Sequence, residues 1–534
     1  MAILSEAERN LAQAFSKLTY CNPFLRERIE FERDILGKDF VESEFVWSAR
    51  AHLEGERPNI AALSAKAEEL AEAMRSRLEG GQKLSGGEAE AYQDLVFYIL
   101  YQRTRHKLND LIVATSASAP ATASTRKVDF YREYLGQLGH FFDVPGLKLE
   151  PRYDPPHLFA SFFQVRRAFH YIFRHIVGGS MPAAQLRAAV WHSVFTGDML
   201  RYLRILYDHM GDFTTLIVGP SGTGKELVAR AIGLSRYIPF DPKTQSFAED
   251  FTGSFHPLNL SALSPTLIES ELFGHKRGAF TGALQDRAGW LEVCRPLGTV
   301  FLDEVGEIDA AIQVKLLRVL QTRTFQRLGD TTTRRFTGKI IAATNRDLTQ
   351  QMQRGQIRED FYYRICSDII TTPALAEILR QSPDELHNMV LFIAQRVTDP
   401  RRFEDLSSPD PARRTVVNDE AERLAEEVEF WISHNMGREY PWPGNFRELE
   451  QCVRNILIRH EYRPALLAEK GARQSLAEAV CAGTLTADQL LCRYCTLVHS
   501  QTHNYEETAR RLGLDRRTIK AKVNPELLEE LGRK

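Results

Sequence analysis

The segment that most constrains the fold is a glycine-rich stretch, Gly219-Pro-Ser-Gly-Thr-Gly-Lys225, which follows an apolar run at Thr214–Val218 and precedes a helical pattern. A strand, a glycine-rich turn and a helix in this order are typical of the phosphate-binding loop, whose backbone amides surround phosphate oxygens. The lysine adds a positive charge near the outer phosphates. The predicted nucleotide-binding residues of this loop are Gly219, Pro220, Ser221, Gly222, Thr223, Gly224, Lys225 and Glu226.

Two acids follow a second apolar run at Thr299–Leu302. Glu226 stands where the general motif has the Ser or Thr that ligates magnesium, so another carboxylate must hold the metal. Asp303 is the predicted Mg²⁺ ligand, and Glu304 is placed to polarise an attacking water. Two acids could also be a solvated strand end, but the loop upstream favours ATP or GTP hydrolysis.

The pattern around these motifs predicts the fold of the central region. From about residue 195, short apolar strands, including a third at Lys339–Ala343, alternate with helical runs. This alternation predicts a parallel sheet with helices on both faces, and ligands bind such sheets at the carboxyl ends of the strands. We therefore expect an α/β core between a mostly helical N-terminal region and an all-helical C-terminal domain.

A hexapeptide, Gly278-Ala-Phe-Thr-Gly-Ala283, lies between the two nucleotide motifs. Its composition alone predicts a glycine-flanked loop with an exposed Phe280. It closely resembles the signature of the sigma-54-dependent transcription activators, or bacterial enhancer-binding proteins, which are AAA+ ATPases. The resemblance implies that the whole loop contacts the sigma factor at a ring pore, through Gly278, Ala279, Phe280, Thr281, Gly282 and Ala283.

Further segments between about residues 190 and 465 resemble the same family in the same order. The resemblance implies a role for each of six residues. By this resemblance Asn345 is the first sensor, Arg447 is the second sensor on a helical lid, and Arg358 and Arg364 are arginine fingers that reach a neighbouring subunit. It also implies that Asn259 restrains Glu304 and that Glu292, beside the pore loop, relays the nucleotide state. The fingers imply a homo-oligomeric ring, which in this family is a hexamer.

The chain departs from the family pattern at several places. Pro220 stands where a Glu is usual, and Gly233 replaces a usual His. The segment Tyr237–Phe255 is longer than the family norm, which predicts an extra surface loop. Pro373-Ala-Leu-Ala-Glu-Ile378 differs from the segment that shapes the adenine pocket in the family, so the base contacts are the least constrained part of the site.

Helical periodicity dominates the first 190 residues. Ser5 and Glu8 form a capping box, and Leu63–Leu78 and Leu95–Tyr101 are further apolar helical segments. The stretch 114–125 contains only Ala, Ser, Thr and Pro and predicts a flexible linker. The predicted boundaries are 1–113 and 126–189 for two helical regulatory segments around this linker, 190–372 for the ATPase, 373–465 for its lid, 466–483 for a second linker and 484–534 for a DNA-binding domain.

One helix of the regulatory region has two interpretations. Phe162, Val165, Phe169, Ile172 and Ile176 form one apolar face, and cationic side chains lie between them at Arg166, Arg167, His170, Arg174 and His175. The face could line a pocket for an unknown signal ligand or protein. The favoured interpretation is a core or docking helix whose cations face solvent. Clustered acids at strand ends are missing here, so a phosphate-accepting receiver domain is not expected.

The C-terminal segment predicts a helix-turn-helix. Thr484–Ser500 and Tyr505–Leu512 are helical by pattern, Gly513 permits the turn, Asp515 caps a helix at Arg516–Val523, and Pro525 ends it. The pattern resembles the Fis-type domain of many sigma-54 activators. Its cations suit double-stranded enhancer DNA, and the predicted contacts are Arg516, Arg517, Thr518, Lys520 and Lys522.

Four side chains in this domain could also suggest zinc. Cys492, Cys495, His499 and His503 have partly helical spacing, but a continuous helix cannot easily wrap four ligands around one ion. Core packing is favoured, and we expect no stoichiometric zinc.

Composition excludes several classes of protein. The 534 residues carry 68 Lys and Arg against 70 Asp and Glu, so a uniformly basic nucleic-acid coat and wholesale disorder are both excluded. The longest apolar stretch, Leu95–Tyr101, is far too short for a membrane helix, and a signal-peptide layout is missing. Seven cysteines fit reduced thiols. We therefore expect a cytoplasmic protein without membrane contact.

These observations together predict an ATPase that uses ATP and Mg²⁺. The resemblance implies that it binds enhancer DNA and remodels RNA polymerase containing sigma-54 from closed to open complexes. Two alternatives are a nucleotide-gated DNA-binding repressor or scaffold, and an AAA+ remodeller of a different client. The intact hexapeptide, both acids and both candidate fingers argue against the repressor. The sign of N-terminal regulation stays open.

Overall fold

A computed structural model describes residues 4–42, 46–47, 57–116, 126–150, 153–398, 411–437, 440–464 and 485–524, together with 480, 483 and 528. The chain divides into two compact units, residues 1–454 and residues 455–534. In the described residues, no helix has the length and apolar character needed to cross a membrane.

The N-terminal region is helical, as predicted. Ser5 caps the first helix through the predicted capping box with Glu8. Leu63 and Met74 are fully buried on one face of the third helix. The helices of this region are α1 (Glu6–Tyr20), α2 (Arg26–Leu36), α3 (Pro58–Glu79), α4 (Gly86–Ser116), α5 (Tyr131–Phe142), α6 (Pro155–His175), α7 (Met181–Phe195) and α8 (Met199–Arg201).

The predicted linker 114–125 is only partly described. Residues 114–116 form the last turn of α4 rather than linker, because the helix continues four residues beyond buried Ile112. Residues 117–125 lie outside the described part of the chain. Of the second predicted linker, 466–483, only residues 480 and 483 are described.

The central region is the predicted parallel sheet flanked by helices. Its strands are β1 (Thr215–Val218), β4 (Phe255–Asn259), β5 (Thr299–Asp303), β8 (Lys339–Thr344) and β9 (Asp368–Thr371), in the spatial order β4-β5-β8-β1-β9 with every pair parallel. Two short hairpins add β2 (Phe240–Asp241) with β3 (Ser246–Phe247), and β6 (Thr324–Phe325) with β7 (Arg334–Arg335). The two nucleotide motifs follow β1 and β5, with β8 between these strands.

Helices cover the sheet and form the lid. The helices of the core are α9 (Lys225–Gly233), α10 (Pro265–Phe273), α11 (Trp290–Val293), α12 (Ala310–Thr322), α13 (Leu348–Gln353) and α14 (Glu359–Ile365), and those of the lid are α15 (Leu375–Gln381), α16 (Glu385–Thr398), α17 (Pro411–Asn435) and α18 (Asn445–Arg459). The α/β core with a helical lid is therefore confirmed.

The N-terminal helices share one hydrophobic core with the sheet. Buried side chains of α1 to α7 join Ile217 of β1, Ile341 of β8 and Ala229 of α9 in a single cluster. Ser193 Oγ of α7 lies 3.0 Å from Thr215 Oγ1 at the start of β1. The other face of the sheet packs in a separate cluster with α10, α12 and α14.

The prediction that Tyr237–Phe255 forms an extra surface loop is wrong. It contains the β2–β3 hairpin, whose Phe240 and Phe247 are buried together with Phe251. The Phe247 ring stacks on Phe163 of α6 with a centroid distance of 4.0 Å. The insertion is therefore a docking surface for α6, because its aromatic side chains remove apolar area of both segments from water.

The prediction that the cations of α6 face solvent is also wrong for one residue. Arg167 is only 1% exposed, and its guanidinium donates to the carbonyl oxygens of Leu234, at 2.9 Å, and of Arg236. Arg166, His170, Arg174 and His175 are half-buried. Ile172 and Ile176 of the predicted apolar face are buried as expected.

Among the described residues beyond 484, the second unit forms α19 (Ala487–Thr502), α20 (Tyr505–Leu512) and α21 (Arg516–Lys522). Cys495, Ala509 and Ile519 form its core. Gly513 has the positive φ of 66° that ends α20, and Asp515 caps α21 by accepting from the amides of Arg517 and Thr518. The first helix begins three residues later than predicted, because Thr486 caps it in a box with Gln489. Pro525 lies outside the described residues.

Candidate active site

The phosphate-binding loop is held in shape by hydrogen bonds of its own residues. Lys225 Nζ donates to the carbonyl oxygens of Gly219 and Pro220, at 3.0 and 3.2 Å. Thr223 Oγ1 donates to the Pro220 carbonyl at 2.8 Å and lies 2.6 Å from Thr372 Oγ1 at the end of β9. The ammonium of Lys225 therefore lies inside the loop, where it can contact the oxygens of a bound phosphate.

One glycine lets the lid approach this loop. Gly222 has φ +78°, and a Cβ atom there would lie 2.3 Å from the backbone oxygen of Gly444. The Phe446 amide donates to the Gly222 carbonyl at 3.0 Å. Asn445 Nδ2 donates to the Ser221 carbonyl at 2.9 Å, and Arg447 Nη1 lies 3.4 Å from Ser221 Oγ. The predicted second sensor is thus placed directly on the phosphate loop.

The carboxylates of Asp303 and Glu304, at the end of β5, interact with the charge of Lys225. Burial raises the pKa of Asp303, and the neighbouring carboxylate of Glu304 adds to this effect. Burial lowers the pKa of Lys225, while the charges of Glu304 and Asp303 oppose that shift. A half-buried carboxylate pair beside a buried ammonium is a set of groups that fits a divalent cation and a phosphate chain.

Glu304 and Asn345 meet at the ends of adjacent strands. Glu304 has the left-handed φ of 57°, which turns its side chain away from the strand direction. Its Oε2 accepts a hydrogen bond from the backbone N–H of Asn345 at 3.4 Å. Asn345 is exposed immediately after β8. The candidate base is therefore in contact with the backbone of the candidate first sensor.

Two predicted site residues point elsewhere in this structure. Asn259 is paired in register with Asp303, but its Oδ1 accepts from the amide and hydroxyl of Ser261, at 3.0 and 2.8 Å. Within the described residues no hydrogen bond joins Asn259 to Glu304, so the restraint role stays a prediction. The Glu226 carboxylate pairs with Arg230 one turn along α9, at 2.9 Å, so only its backbone belongs to the loop.

The two candidate fingers lie on the surface around α14. Arg358 precedes the helix and makes a two-bond pair with Asp360, at 3.0 and 2.8 Å. Arg364 Nε donates to the Leu320 carbonyl at 3.0 Å. In the described part of the chain, no hydrogen bond or ion pair joins either guanidinium to residues 219–226. Both side chains are exposed, so both can face a second copy of the chain.

The hexapeptide forms a closed loop. The Gly278 amide donates to the Ala283 carbonyl at 2.9 Å, and the Ala283 amide donates to the Phe280 carbonyl at 3.0 Å. Phe280 is half-buried rather than exposed as predicted, because its ring packs edge-on against buried His275 with a centroid distance of 5.0 Å. Thr281 and Gly282 are exposed at the tip. The loop therefore presents Thr281 most openly.

A charged network stands beside the base of this loop. Glu292 accepts two hydrogen bonds from Arg327, at 2.7 and 2.6 Å, and lies 3.3 Å from Arg334. Hydrogen bonding to Arg327 lowers the pKa of Glu292. The segment that carries Arg327 also pairs with the loop base, since the Lys276 amide donates to the Leu328 carbonyl at 2.9 Å. Glu292 is thus one hydrogen-bonded step from the loop.

The predicted base pocket is a small cavity of about 110 Å³ beside the phosphate loop. Pro373 and Ile378, from the segment that departs from the family pattern, line one side. Thr223 and Leu227 line the phosphate side. Residues 175–177, at the end of α6, line it as well, so the N-terminal region contributes to the pocket.

The C-terminal unit has its own candidate site on α21. Arg516, Arg517 and Lys520 are exposed, and Thr518 is half-buried beside Asp515. Arg516 pairs with Glu506 at 3.0 Å, and Lys522 with Asp488. Two of the four candidate zinc ligands pack inside the unit. Cys495 is fully buried, and His499 stacks on Tyr505 with a centroid distance of 4.0 Å. The absence of zinc stays a prediction.

Sequence reasoning missed two residues that organise the site. Thr372 closes the phosphate loop from β9, and Asn445 joins that loop to the lid by accepting from the Leu375 amide at 2.9 Å. A polar residue after an apolar strand was the available signal for Thr372. For Asn445 the signal was its place between Gly444 and Arg447. The structure gives it a positive φ of 51°, which asparagine tolerates better than most residues.

Comparison with known proteins assigns a family to the central region. Residues 199–371 match the Sigma-54 interaction domain. The Nif-specific regulatory protein of Azotobacter vinelandii is 40% identical over 248 residues, which cover 46% of this chain and 40% of that protein. The anaerobic nitric oxide reductase transcription regulator NorR of Aeromonas salmonicida is 36% identical over 327 residues, covering 57% of each. The chain thus spans less than two thirds of either relative.

A solved structure of NtrX from Brucella abortus in complex with ATP is also similar. It is 21% identical, covers 76% of this chain and 81% of its own, and has a TM-score of 0.39.

Proposed function

Because residues 199–371 belong to the family of sigma-54 interaction domains, we propose that this chain is an ATP-dependent activator of transcription by RNA polymerase containing sigma-54. It binds enhancer-like double-stranded DNA through α21 and works as a homo-oligomeric ring, a hexamer by family resemblance. The observation that carries the proposal is the contact between Glu304 and Asn345 beside Lys225, in the same core that presents Thr281 at a loop tip.

The residues of the site fit ATP and magnesium. Backbone amides at the start of α9 and the ammonium of Lys225 hold the phosphates, and Arg447 closes from the lid. Asp303 would hold Mg²⁺, which would neutralise phosphate charge when bound. Glu304 orients and polarises the attacking water, and Asn345 senses the terminal phosphate through its contact with Glu304. Pro373 and Ile378 shape the base pocket.

The position of the two candidate fingers supports the proposed ring. Arg358 and Arg364 make no described contact with the phosphate loop of their own chain and are exposed. A guanidinium supplied by a neighbouring subunit would stabilise the charge that develops during phosphoryl transfer. Each active site is then complete only at a subunit interface.

Hydrolysis reaches the sigma factor through the loop 278–283. Loss of the terminal phosphate changes what Asn345 and Glu304 contact, and the two nucleotide states then favour different positions of the loop. Glu292 transmits this change because its partner Arg327 belongs to the segment that pairs with the loop base. The loop tip at Thr281 moves sigma-54 and allows promoter DNA to melt.

The test is open-complex formation by purified sigma-54 polymerase with ATP, using the full chain. Thr281→Ala should abolish opening while ATPase activity persists. Thr266→Ala, at an exposed threonine at the start of α10, is the matched control and should open promoters as well as the parent. Opening that is unchanged in Thr281→Ala would remove Thr281 from the proposed mechanism. An ATPase-active parent that opens no promoter would refute the proposal and favour a DNA-binding repressor or a remodeller of another client.

A further inference from the structure

A cavity of about 370 Å³ lies inside the N-terminal helical region. Its two long walls are α4 and α6, and the rest of its lining comes from the end of α1, the segment that leads into α2 and Arg28 of α2, Trp47, Arg57 and Ile60 at the start of α3, Trp191 of α7, and Met199 and Leu203. Cavities of about 300 to 1,000 Å³ with mostly apolar walls and a few polar groups are typical of small-molecule sites. None of the proposed catalytic residues touches this space.

The apolar part of the wall is aromatic. The lining includes Phe97 and Tyr101 of α4, Phe162 and Phe169 of α6, and Trp191 of α7. The Tyr101 and Phe162 rings meet edge-on with a centroid distance of 5.8 Å, and Phe169 lies 5.1 Å from Trp191. Flat rings in such walls favour a flat apolar ligand, because aromatic pairs gain from stacked and edge-on contacts.

The polar part of the wall is cationic. Arg28, Arg57, Arg105 and Arg166 line the cavity together with His106, and none of the described residues that line it is an Asp or a Glu. Arg28 is paired with Glu32 at 2.8 Å. Arg166 instead donates twice to the neutral Asn109 Oδ1, at 3.2 and 2.8 Å. Because Asn109 is neutral, this contact leaves the positive charge of Arg166 without a compensating negative charge.

Two buried polar atoms also belong to cavity-lining side chains. Tyr98 Oη and Gln102 Oε1 have no hydrogen-bond partner among the described residues. Most buried polar side-chain atoms in proteins are hydrogen-bonded, so atoms of this kind mark a place where a ligand or water completes the network.

We propose that this cavity binds a small organic anion with a flat apolar body, such as an aryl carboxylate, whose carboxylate pairs with Arg166 and whose ring lies between α4 and α6. The pairing is two-pronged, as guanidinium and carboxylate geometry allows. The aromatic walls exclude water from the pair.

The same helix joins this cavity to the nucleotide pocket. On α6, Val165 and Arg166 face the cavity, while Gln164 donates to the Ser235 carbonyl, just after α9, at 3.0 Å. The end of α6, at residues 175–177, lines the base pocket. A ligand that changes the position of α6 therefore changes the affinity for ATP. This second step rests on the proposed function, whereas binding in the cavity does not.

The binding test uses isothermal titration calorimetry on the full chain with phenylacetate and 2-naphthoate, against phenylacetamide and 2-naphthamide as neutral matches. At least one acid should bind with one site per chain, and its amide should bind at least about tenfold more weakly, the loss expected for one charged hydrogen bond. No binding of either acid at millimolar concentration, or equal binding of acid and amide, would overturn the proposal.

Two variants locate the site. Arg166→Gln keeps a donor for Asn109 but removes the charge, and it should weaken acid binding about tenfold. Arg103→Gln is the matched control, because Arg103 is exposed on α4 and pairs with Glu68 outside the cavity. Val165→Phe fills the cavity and should abolish binding while the melting transition is retained. Unchanged acid binding in both Arg166→Gln and Val165→Phe would place the ligand elsewhere and refute the proposal.

The coupling is tested by the KM for ATP with and without the bound acid. The acid should shift KM in the parent and in Arg103→Gln but leave it unchanged in Arg166→Gln. A bound acid that leaves KM unchanged in the parent would refute the coupling. An inactive ATPase would refute the proposed function, while calorimetry would still decide the cavity.

Discussion

Arg167 of α6 donates a hydrogen bond of 2.9 Å to the carbonyl oxygen of Leu234, the residue that follows the helix beginning at Lys225. Its guanidinium also faces the rings of Phe163 and Phe251, at 4.8 and 5.3 Å from their centroids. Burial lowers the pKa of Arg167 to about 10. The buried Arg167 side chain thus connects the N-terminal region to the segment that follows α9.

Removing this cation should loosen that joint. Arg167→Met keeps the volume but leaves the carbonyl oxygens of Leu234 and Arg236 without donors, at a cost of about 2 to 4 kcal/mol. Hydrogen exchange should accelerate around residues 235–237, and the thermal midpoint should fall. Arg132→Met, at an exposed position on α5, is the control and should change neither. Exchange that is unaltered in Arg167→Met would show that the hydrogen bonds of Arg167 do not hold the two segments together.

Glu304→Gln should separate nucleotide binding from hydrolysis. The amide keeps the size of the side chain next to Asn345 but cannot accept a proton, so turnover should fall about 10² to 10⁴-fold. Binding of a fluorescent ATP analogue should stay within a few-fold of the parent. Glu307→Gln, three residues along the chain, is the control, since Glu307 pairs with Arg346. Full turnover in Glu304→Gln would remove Glu304 from the base role.

The sheet could be predicted from sequence where strands are buried and apolar on both faces. β1, β5 and β8 are such strands, and their predicted bounds agree with the structure within one residue. The edge strands β4 and β9 were missed. β4 contains Pro257, which cannot donate to a ladder and is tolerated because the strand is at the sheet edge. β9 has only four residues and exposes Ile369.

The site could be predicted where a local motif carries the chemistry, as for Lys225, Asp303 and Glu304. Contacts between distant segments could not. The exposure of a cation depends on what packs over it, and the partner of Arg167 is more than 60 residues away in the chain. The aromatic side chains of the insertion gave a signal, since Phe240, Phe247 and Phe251 would be costly on a surface.

The fingers should act between subunits. Arg358→Ala and Arg364→Ala should each lower ATP turnover, because an arginine finger contributes about 10³ to 10⁵-fold to turnover. A mixture of Arg358→Ala with Lys225→Ala should recover part of the ATPase activity. In such a mixture some interfaces combine an intact phosphate loop with an intact finger. The same mixing test applies to Arg364→Ala.

Two results complete this test. Arg354→Ala changes a nearby exposed arginine and should leave turnover at the parent level. If neither finger variant recovers activity on mixing with Lys225→Ala, although mixed rings form, the fingers do not work in trans and the ring argument fails.

The cations of α21 should differ in their contribution to DNA binding. Arg517 and Lys520 are exposed, and no ion pair involves either of them within the described residues, whereas Lys522 is already bound to Asp488. Arg517→Ala and Lys520→Ala should therefore weaken binding to a mixed-sequence duplex and lower the salt slope by about 0.9 for each phosphate that the variant no longer neutralises. Lys522→Ala should have a smaller effect, because Asp488 must release the ammonium before a phosphate can bind it. Fluorescence anisotropy at several salt concentrations measures both quantities, with exposed Arg493→Ala on α19 as the control. A larger reduction in affinity for Lys522→Ala than for Arg517→Ala would mean that the DNA-facing side of α21 is the side that carries Lys522.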